Sequence, residues 1–159
     1  MKTRCLGCGA EFDEMDGPTH KYMTSSPACW ARYGELLGVL ATRHDLQAVR
    51  QMCVDAYAVQ HPGTPNPQAI QSVALHLLSV RRYLVEGLPI VPLRVIGEKG
   101  AFVWLTPPAT RGARTVADMP IHGTANVLRD AARSWVESAW AAWAPHHRQV
   151  ALWAGHGIT

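Results

Sequence analysis

PQAIQSVALHLLSVRRYLVE, residues 67–86, is the stretch that decides the fold class. Asn66 can cap it, Pro67 suits the first helical position, and Gly87 ends it. The pattern predicts one long helix over 67–86. Between Val73 and Val80 the helix is apolar almost all round, which predicts the central, most buried helix of a mainly α fold.

Working upstream, His61-Pro62-Gly63 opens a short rigid loop, PGTPNP, and terminates a second helix over 46–60. On that helix Leu46, Val49, Cys53, Ala56 and Gln60 form one apolar stripe, with Met52 and Val59 beside it. Asp45 is its expected N-cap. A further helix is expected over 27–42, capped by Ser25 or Ser26, with Pro27 at its first position. Residues 1–24 hold Gly7, Gly9, Gly17 and Pro18 with little periodicity, and read as a compact irregular lobe.

Downstream, residues 88–122 change character. Two β-like runs, LRVI and AFVWL, flank Gly97-Glu98-Lys99-Gly100 and predict a small β-hairpin insertion, with a further turn at 115–119. A last long helix starts near Ala125 and carries Leu128, Ala131, Trp135, Ala139 and Ala142. Pro145 breaks it, and a shorter helix follows over 145–154. The expected architecture is a single domain over 1–159: a zinc-knuckle lobe (1–24), helices one to three (25–87), a hairpin-bearing insertion (88–122) and C-terminal helices (123–159). That makes a helical bundle of about four main helices.

Composition bounds the function. With 48% hydrophobic and 17% charged residues in 159, the chain is globular. A formal net charge of +3, without a Lys/Arg cluster interleaved with aromatics, argues against a nucleic-acid partner. The first residues lack an apolar signal segment and no run is long enough to span a bilayer, so a cytoplasmic protein without a membrane partner is expected. Of the six tryptophans, the four after residue 134 (Trp135, Trp140, Trp143 and Trp153) sit at helical spacings that read as core packing, with a ligand- or partner-binding face as the rival.

The most specific short motif is CLGCG, residues 5–9. Two cysteines spaced by two residues can place both thiolates on one metal ion, and Gly7 and Gly9 let the turn fold back on itself. A structural Zn2+ needs two more ligands. His20 and Cys29 are the nearest candidates, Cys29 in the first turn of a helix where the dipole favours a thiolate. Cys53 is a fallback ligand, although its place on the apolar stripe suits a small buried hydrophobe. The redox alternative for Cys5 and Cys8 expects a helix directly after the pair, where Gly9-Ala10 opens a loop instead.

A second constellation gathers Asp55, His61, His76, His146 and His147. His76 lies inside the apolar helix and needs a partner, because a buried unpaired polar group costs about 1–3 kcal/mol. Asp55 on the neighbouring antiparallel helix can meet it, and His146 or His147 can approach from the last helix. Three readings stand. Asp55, His76, His146 and His147 hold a second divalent metal that supports hydrolytic or transfer chemistry on a small molecule. Alternatively Asp55 and His76 act as a metal-free general base, or they are a buried pair that fixes packing. His61, at a helix end, reads as a C-cap or a ligand. Gln60, Gln68 and Gln71 either orient ligands or are solvated helix-end residues. If the second site is absent, the rival function is a non-catalytic, zinc-stabilised protein-interaction module. No phosphate loop, dinucleotide fingerprint or serine-hydrolase elbow occurs.

The stretches CLGCGAEF, DGPTHKYMTSSPACW, VDAYAVQHPG, QAIQSVALHLLSV, WLTPP, TVADM and WAAWAPHHRQVALW together resemble a family of uncharacterised bacterial proteins, a domain of unknown function, over nearly the whole chain. The resemblance implies that Cys5, Cys8, His20, Cys29, Asp55, His61, His76, His146 and His147 belong to the family pattern. It implies no activity. A looser likeness, of architecture alone, is to metal-dependent thiol transferases of the DinB type. Their three-histidine spacing is not reproduced here, so no role carries across.

Overall fold

The computed structural model describes residues 1–94 and 102–155. It is mainly helical: β1 (Lys2–Arg4), β2 (Glu11–Asp13), α1 (Pro27–Ala41), α2 (Gln47–Gln60), α3 (Pro67–Leu84), α4 (Ala125–Ala142) and α5 (His147–Trp153). Short 3-10 turns lie at His44–Leu46, Val116–Asp118 and Ala144–His146. Among the described residues no helix is long and apolar enough to cross a membrane.

The helix starts follow their local chemistry. Ser26 caps α1 by accepting the Cys29 N–H at 3.2 Å, and Asn66 caps α3 by accepting the Ala69 N–H at 2.9 Å, each just before a proline. Thr124 caps α4 through the Val127 N–H. Asp45 does not cap α2. It sits inside a 3-10 turn and its carboxylate accepts instead from Arg43, so α2 begins without a side-chain cap.

α2, not α3, is the centre of the bundle. It packs on α1, α3 and α4, while α5 lies against α3. Every residue from Asp55 to Pro62 is buried. One side of α3 instead stays partly open, with Ile70, Gln71, Ser72, Leu75 and His76 only half-buried. The apolar run of α3 measures how much surface that helix can bury, and here the protein covers only part of it.

Trp135 and Trp143 from α4 and the residue after it fill the space against α2, both fully buried. The Trp135 indole N–H donates to Gln60 Oε1 at 2.8 Å, and the Trp143 indole N–H donates to the Val59 carbonyl at 3.0 Å. Gln60 is fully buried and not solvated. Its amide also donates to the carbonyls of Arg111 at 3.0 Å and Arg114 at 2.6 Å, and so ties the 88–122 segment to the core. Trp153 is also buried, which leaves no tryptophan-rich face made of these three.

The N-terminal segment is not irregular throughout. β1 and β2 pair antiparallel, Lys2 opposite Asp13, Thr3 opposite Phe12 and Arg4 opposite Glu11, with the CLGCG segment in the turn between them. The expected hairpin of the insertion falls largely on residues 95–101, outside the described residues. Its flanks, residues 93–94 and 102–105, carry no strand. The turn expected at 115–119 is the Val116–Asp118 3-10 turn, closed by a reciprocal capping box between Thr115 and Asp118. It packs on α1, where Arg32 donates to the Met119 carbonyl at 3.0 Å.

Candidate metal centre

Three pieces of chain converge at the top of the α1–α2 pair. The hairpin turn brings Cys5 and Cys8. The Cys5 N–H donates to the Ala10 carbonyl at 2.8 Å and the Gly9 N–H to the Cys5 carbonyl at 2.9 Å, with Gly9 at a φ of 82° that suits glycine. The first turn of α1 brings Cys29. The end of α2 brings His61. One ligand atom from each of Cys5, Cys8, Cys29 and His61 lies within 4.8 Å of every other, and all four residues are buried. Among the described residues this is the one group of three or more metal-ligating side chains so arranged.

The spacing fits a small tetrahedral ion. A centre with metal–sulfur bonds of about 2.3 Å and a metal–nitrogen bond of about 2.0 Å requires sulfur–sulfur edges of about 3.75 Å and sulfur–nitrogen edges of about 3.5 Å. Cys8 Sγ and Cys29 Sγ are 3.8 Å apart. His61 Nε2 is 3.5 Å from Cys5 Sγ and 3.4 Å from Cys29 Sγ. The set Cys5, Cys8, Cys29 and His61 can therefore hold a metal ion.

His61 reaches this position because both its ring nitrogens are used. Nδ1 lies 2.7 Å from the carbonyl oxygen of Tyr57, one turn back in α2. A carbonyl only accepts, so Nδ1 carries the proton and the Nε2 lone pair faces the sulfurs. The C-cap and ligand roles expected as alternatives are thus compatible in one ring. The ring stacks on Tyr57, centroids 3.8 Å apart, and Tyr57 stacks on Tyr33 at the same distance. Gly7 packs tightly against the imidazole: a Cβ there would overlap His61 Cδ2 and the Thr24 carbonyl.

The thiols show what a cation would change here. Hydrogen bonds from Cys29 and then Cys8 hold the Cys5 thiol well below its ordinary range. The hydrogen bond from Cys29 pulls Cys8 down, but donation to Cys5 and burial outweigh it and leave Cys8 at about 12. Cys29, donating to Cys5 and to Cys8 in buried surroundings, is pushed far up. Without a cation only one of the three sulfurs carries charge comfortably. A divalent ion would let all three bind as thiolates.

His20 is outside this set. It is half-buried, its Nδ1 accepts the Tyr22 N–H at 3.0 Å, and its ring meets Trp30 edge-on. The physical reason lies in helix geometry. α1 has 15 residues and α2 has 14, so they are about 22 Å and 21 Å long. Folded back through a short link, they bring the end of α2 level with the start of α1, which sets His61 beside Cys29. Cys53 lies two turns below, fully buried and pushed up to about 12 by burial and then by the Asp55 charge. It is a core thiol and not a ligand of this set.

The second constellation is only half assembled. Asp55 is fully buried and meets His76, whose Nδ1 is 2.7 Å from Asp55 Oδ1. Gln51 donates to the same oxygen at 3.0 Å, and Ser79 and Tyr83 donate to Oδ2 at 2.8 and 3.0 Å. Burial, and then the Asp55 charge, push the Tyr83 phenol far up, so it stays a donor. His146 and His147 do not join them. His146 Nε2 bonds the Thr106 carbonyl at 2.7 Å, and His147 Nε2 bonds the Trp140 carbonyl at 2.9 Å while stacking on that indole. The break at Pro145 winds residues 144–146 into a 3-10 turn, which takes both rings off the stripe that α4 alone would continue.

The chain belongs to a family of unknown function (DUF5946), whose family model matches residues 3–144. The match includes the Cys3His cluster and the Asp55–His76 pair, and ends short of His146 and His147. No curated protein and no solved structure matches the chain.

Proposed function

We propose that Cys5, Cys8, Cys29 and His61 bind one structural zinc ion, and that the protein is a zinc-stabilised helical scaffold whose metal pins the N-terminal hairpin to the α1–α2 pair. The observation that carries this reading is the convergence of four buried ligand atoms within 4.8 Å. Three thiolates and one imidazole fill a tetrahedron, whereas a catalytic zinc keeps one position for water or substrate. Thiolate-rich tetrahedral sets also favour zinc over magnesium, calcium or manganese.

A hydrolase or transferase using a second divalent metal at Asp55, His76, His146 and His147 fits less well. Each Asp55 oxygen already accepts two hydrogen bonds. A metal there would have to displace donors, of which Ser79 and Tyr83 are themselves buried, and two of the four expected ligands are committed to carbonyls elsewhere. An interaction module remains compatible with the scaffold reading, with the partner drawn to a surface other than the buried tryptophans.

The test is metal removal followed by amide hydrogen exchange on the full chain. Stripping zinc with a chelator should abolish protection in residues 2–13 and in the first turn of α1, while the middle of α2 and α4 keeps most of theirs. Full protection of the hairpin after complete zinc loss contradicts the proposal.

A further inference from the structure

We propose that the Asp55–His76 pair is a metal-free general-base site, and that it hydrolyses an uncharged, largely apolar ester held in the groove along the open side of α3. The inference is independent of the zinc reading, since neither residue belongs to the metal set.

The groove has a volume of about 710 Å³, within the usual range for small-molecule sites. Ile70, Leu75, Phe102 and Pro67 give it apolar walls, and Gln68 and Gln71 supply amide groups suited to a carbonyl. Among the described lining His76 is the one ionisable side chain, and an uncharged ligand suits those residues. This is the half-buried side of α3, which is apolar enough to be core.

The orientation of His76 follows from Asp55. An ionised carboxylate only accepts hydrogen bonds, so the proton between the two sits on His76 Nδ1. In the neutral ring Nε2 then holds a lone pair. Asp55 is fully buried and the His76 side chain is 23% exposed, so the exposed edge of the ring is the one away from Asp55, at the groove. Nε2 has no partner among the described residues. A purely structural role explains this poorly. Gln51, Ser79 and Tyr83 already supply Asp55 with three donors, and an apolar side chain at position 76 would close the open face of α3 better than an imidazole.

The step balances with water as the only co-reactant. His76 Nε2 takes a proton from water as the water oxygen bonds to the ester carbonyl carbon. The tetrahedral intermediate collapses, the bond from carbon to the alcohol oxygen breaks, and the imidazolium returns its proton to the departing oxygen. Acid and alcohol leave, and His76 is restored. Asp55 is a positioning residue: it fixes the Nδ1–H tautomer and faces the transient imidazolium.

The probe is 4-nitrophenyl butyrate with the purified full chain, read as released 4-nitrophenol. The expected result is saturable hydrolysis above the buffer rate. His76→Gln should lower kcat at least about 100-fold, and the exposed His44→Gln should leave it unchanged. Asp55→Asn should lower kcat with KM held, since the groove walls are untouched. Nitrogen-15 NMR of the wild type reports the tautomer without any variant, and should show neutral His76 protonated at Nδ1. A buffer-level rate, an undiminished His76→Gln variant, or a neutral His76 protonated at Nε2 would each overturn the proposal.

Discussion

Replacing Gly7 with alanine tests how tightly the zinc turn and the helical body are fitted together. The added Cβ would overlap the Thr24 carbonyl and Cδ2 of His61, and would stand only 3.0 Å from His61 Cγ. Neither neighbour is the free end of a flexible chain. Thr24 presents backbone, and the imidazole is held by its bond to the Tyr57 carbonyl and its stack on Tyr57. To regain ordinary carbon–carbon contact near 3.5 Å, the turn and the ring must separate by about 1 Å. A zinc–nitrogen bond tolerates about 0.2 Å, so the variant loses either good packing or the histidine ligand. Overpacking of this kind costs about 1–3 kcal/mol, and the rigid neighbours place it near 2–3. For a chain of this size that lowers Tm by about 4–12 °C. If the loss falls on ligation, zinc affinity drops about 30- to 150-fold. The assays are thermal unfolding of the zinc-loaded protein and zinc competition against a chromogenic chelator. Gly34→Ala is the control: it lies exposed in α1 with nothing within 4 Å of a Cβ, and should stabilise by about 0.5–1 kcal/mol. If Gly7→Ala matches the wild type in both Tm and zinc affinity, the described packing of the turn on His61 is wrong.

Three further outcomes are expected. His20→Ala and Cys53→Ala should each keep the full zinc content by elemental analysis, because neither side chain reaches the Cys3His set; Cys53→Ala should still lose about 1 kcal/mol of stability by emptying a buried site. Tyr83→Phe removes one of four donors to the buried Asp55 carboxylate and should cost about 1.5–3 kcal/mol in chemical denaturation. Trp135→Phe should cost about 1–3 kcal/mol by the same measurement, since it leaves the Gln60 acceptor without the indole N–H.

The helical frame was legible because punctuation is local. Ser26-Pro27, Asn66-Pro67 and the glycine at 87 mark their boundaries by backbone chemistry that needs no tertiary information. The cysteine pair and Cys29 were legible for a similar reason: thiols in this pattern have few other uses. His61 was harder to see, because ligands are chosen by distance in space and His20 is nearer in sequence. The clue was present in the matched lengths of the two helices before it, which return the chain to the level of Cys29. The three-residue strands β1 and β2 are too short to show an alternating pattern, and their pairing is dictated by the cysteine turn between them. Nor could periodicity say which helix occupies the centre. Apolar content separates what can be buried from what cannot, and only packing decides that α2 is enclosed while one side of α3 lines a groove. Asp55 and His76 were paired correctly because a histidine in an apolar helix demands a partner. His146 and His147 were misplaced because a proline-induced 3-10 turn changes the phase of the side chains after it.

Zinc-edge X-ray absorption of the purified, metal-loaded chain probes the centre most directly. The expected spectrum is one zinc per chain with three sulfur neighbours at about 2.3 Å and one nitrogen at about 2.0 Å, the nitrogen signal vanishing in His61→Ala. A shell of two sulfurs, a shell of four, or a spectrum unmoved by the His61 substitution would contradict it.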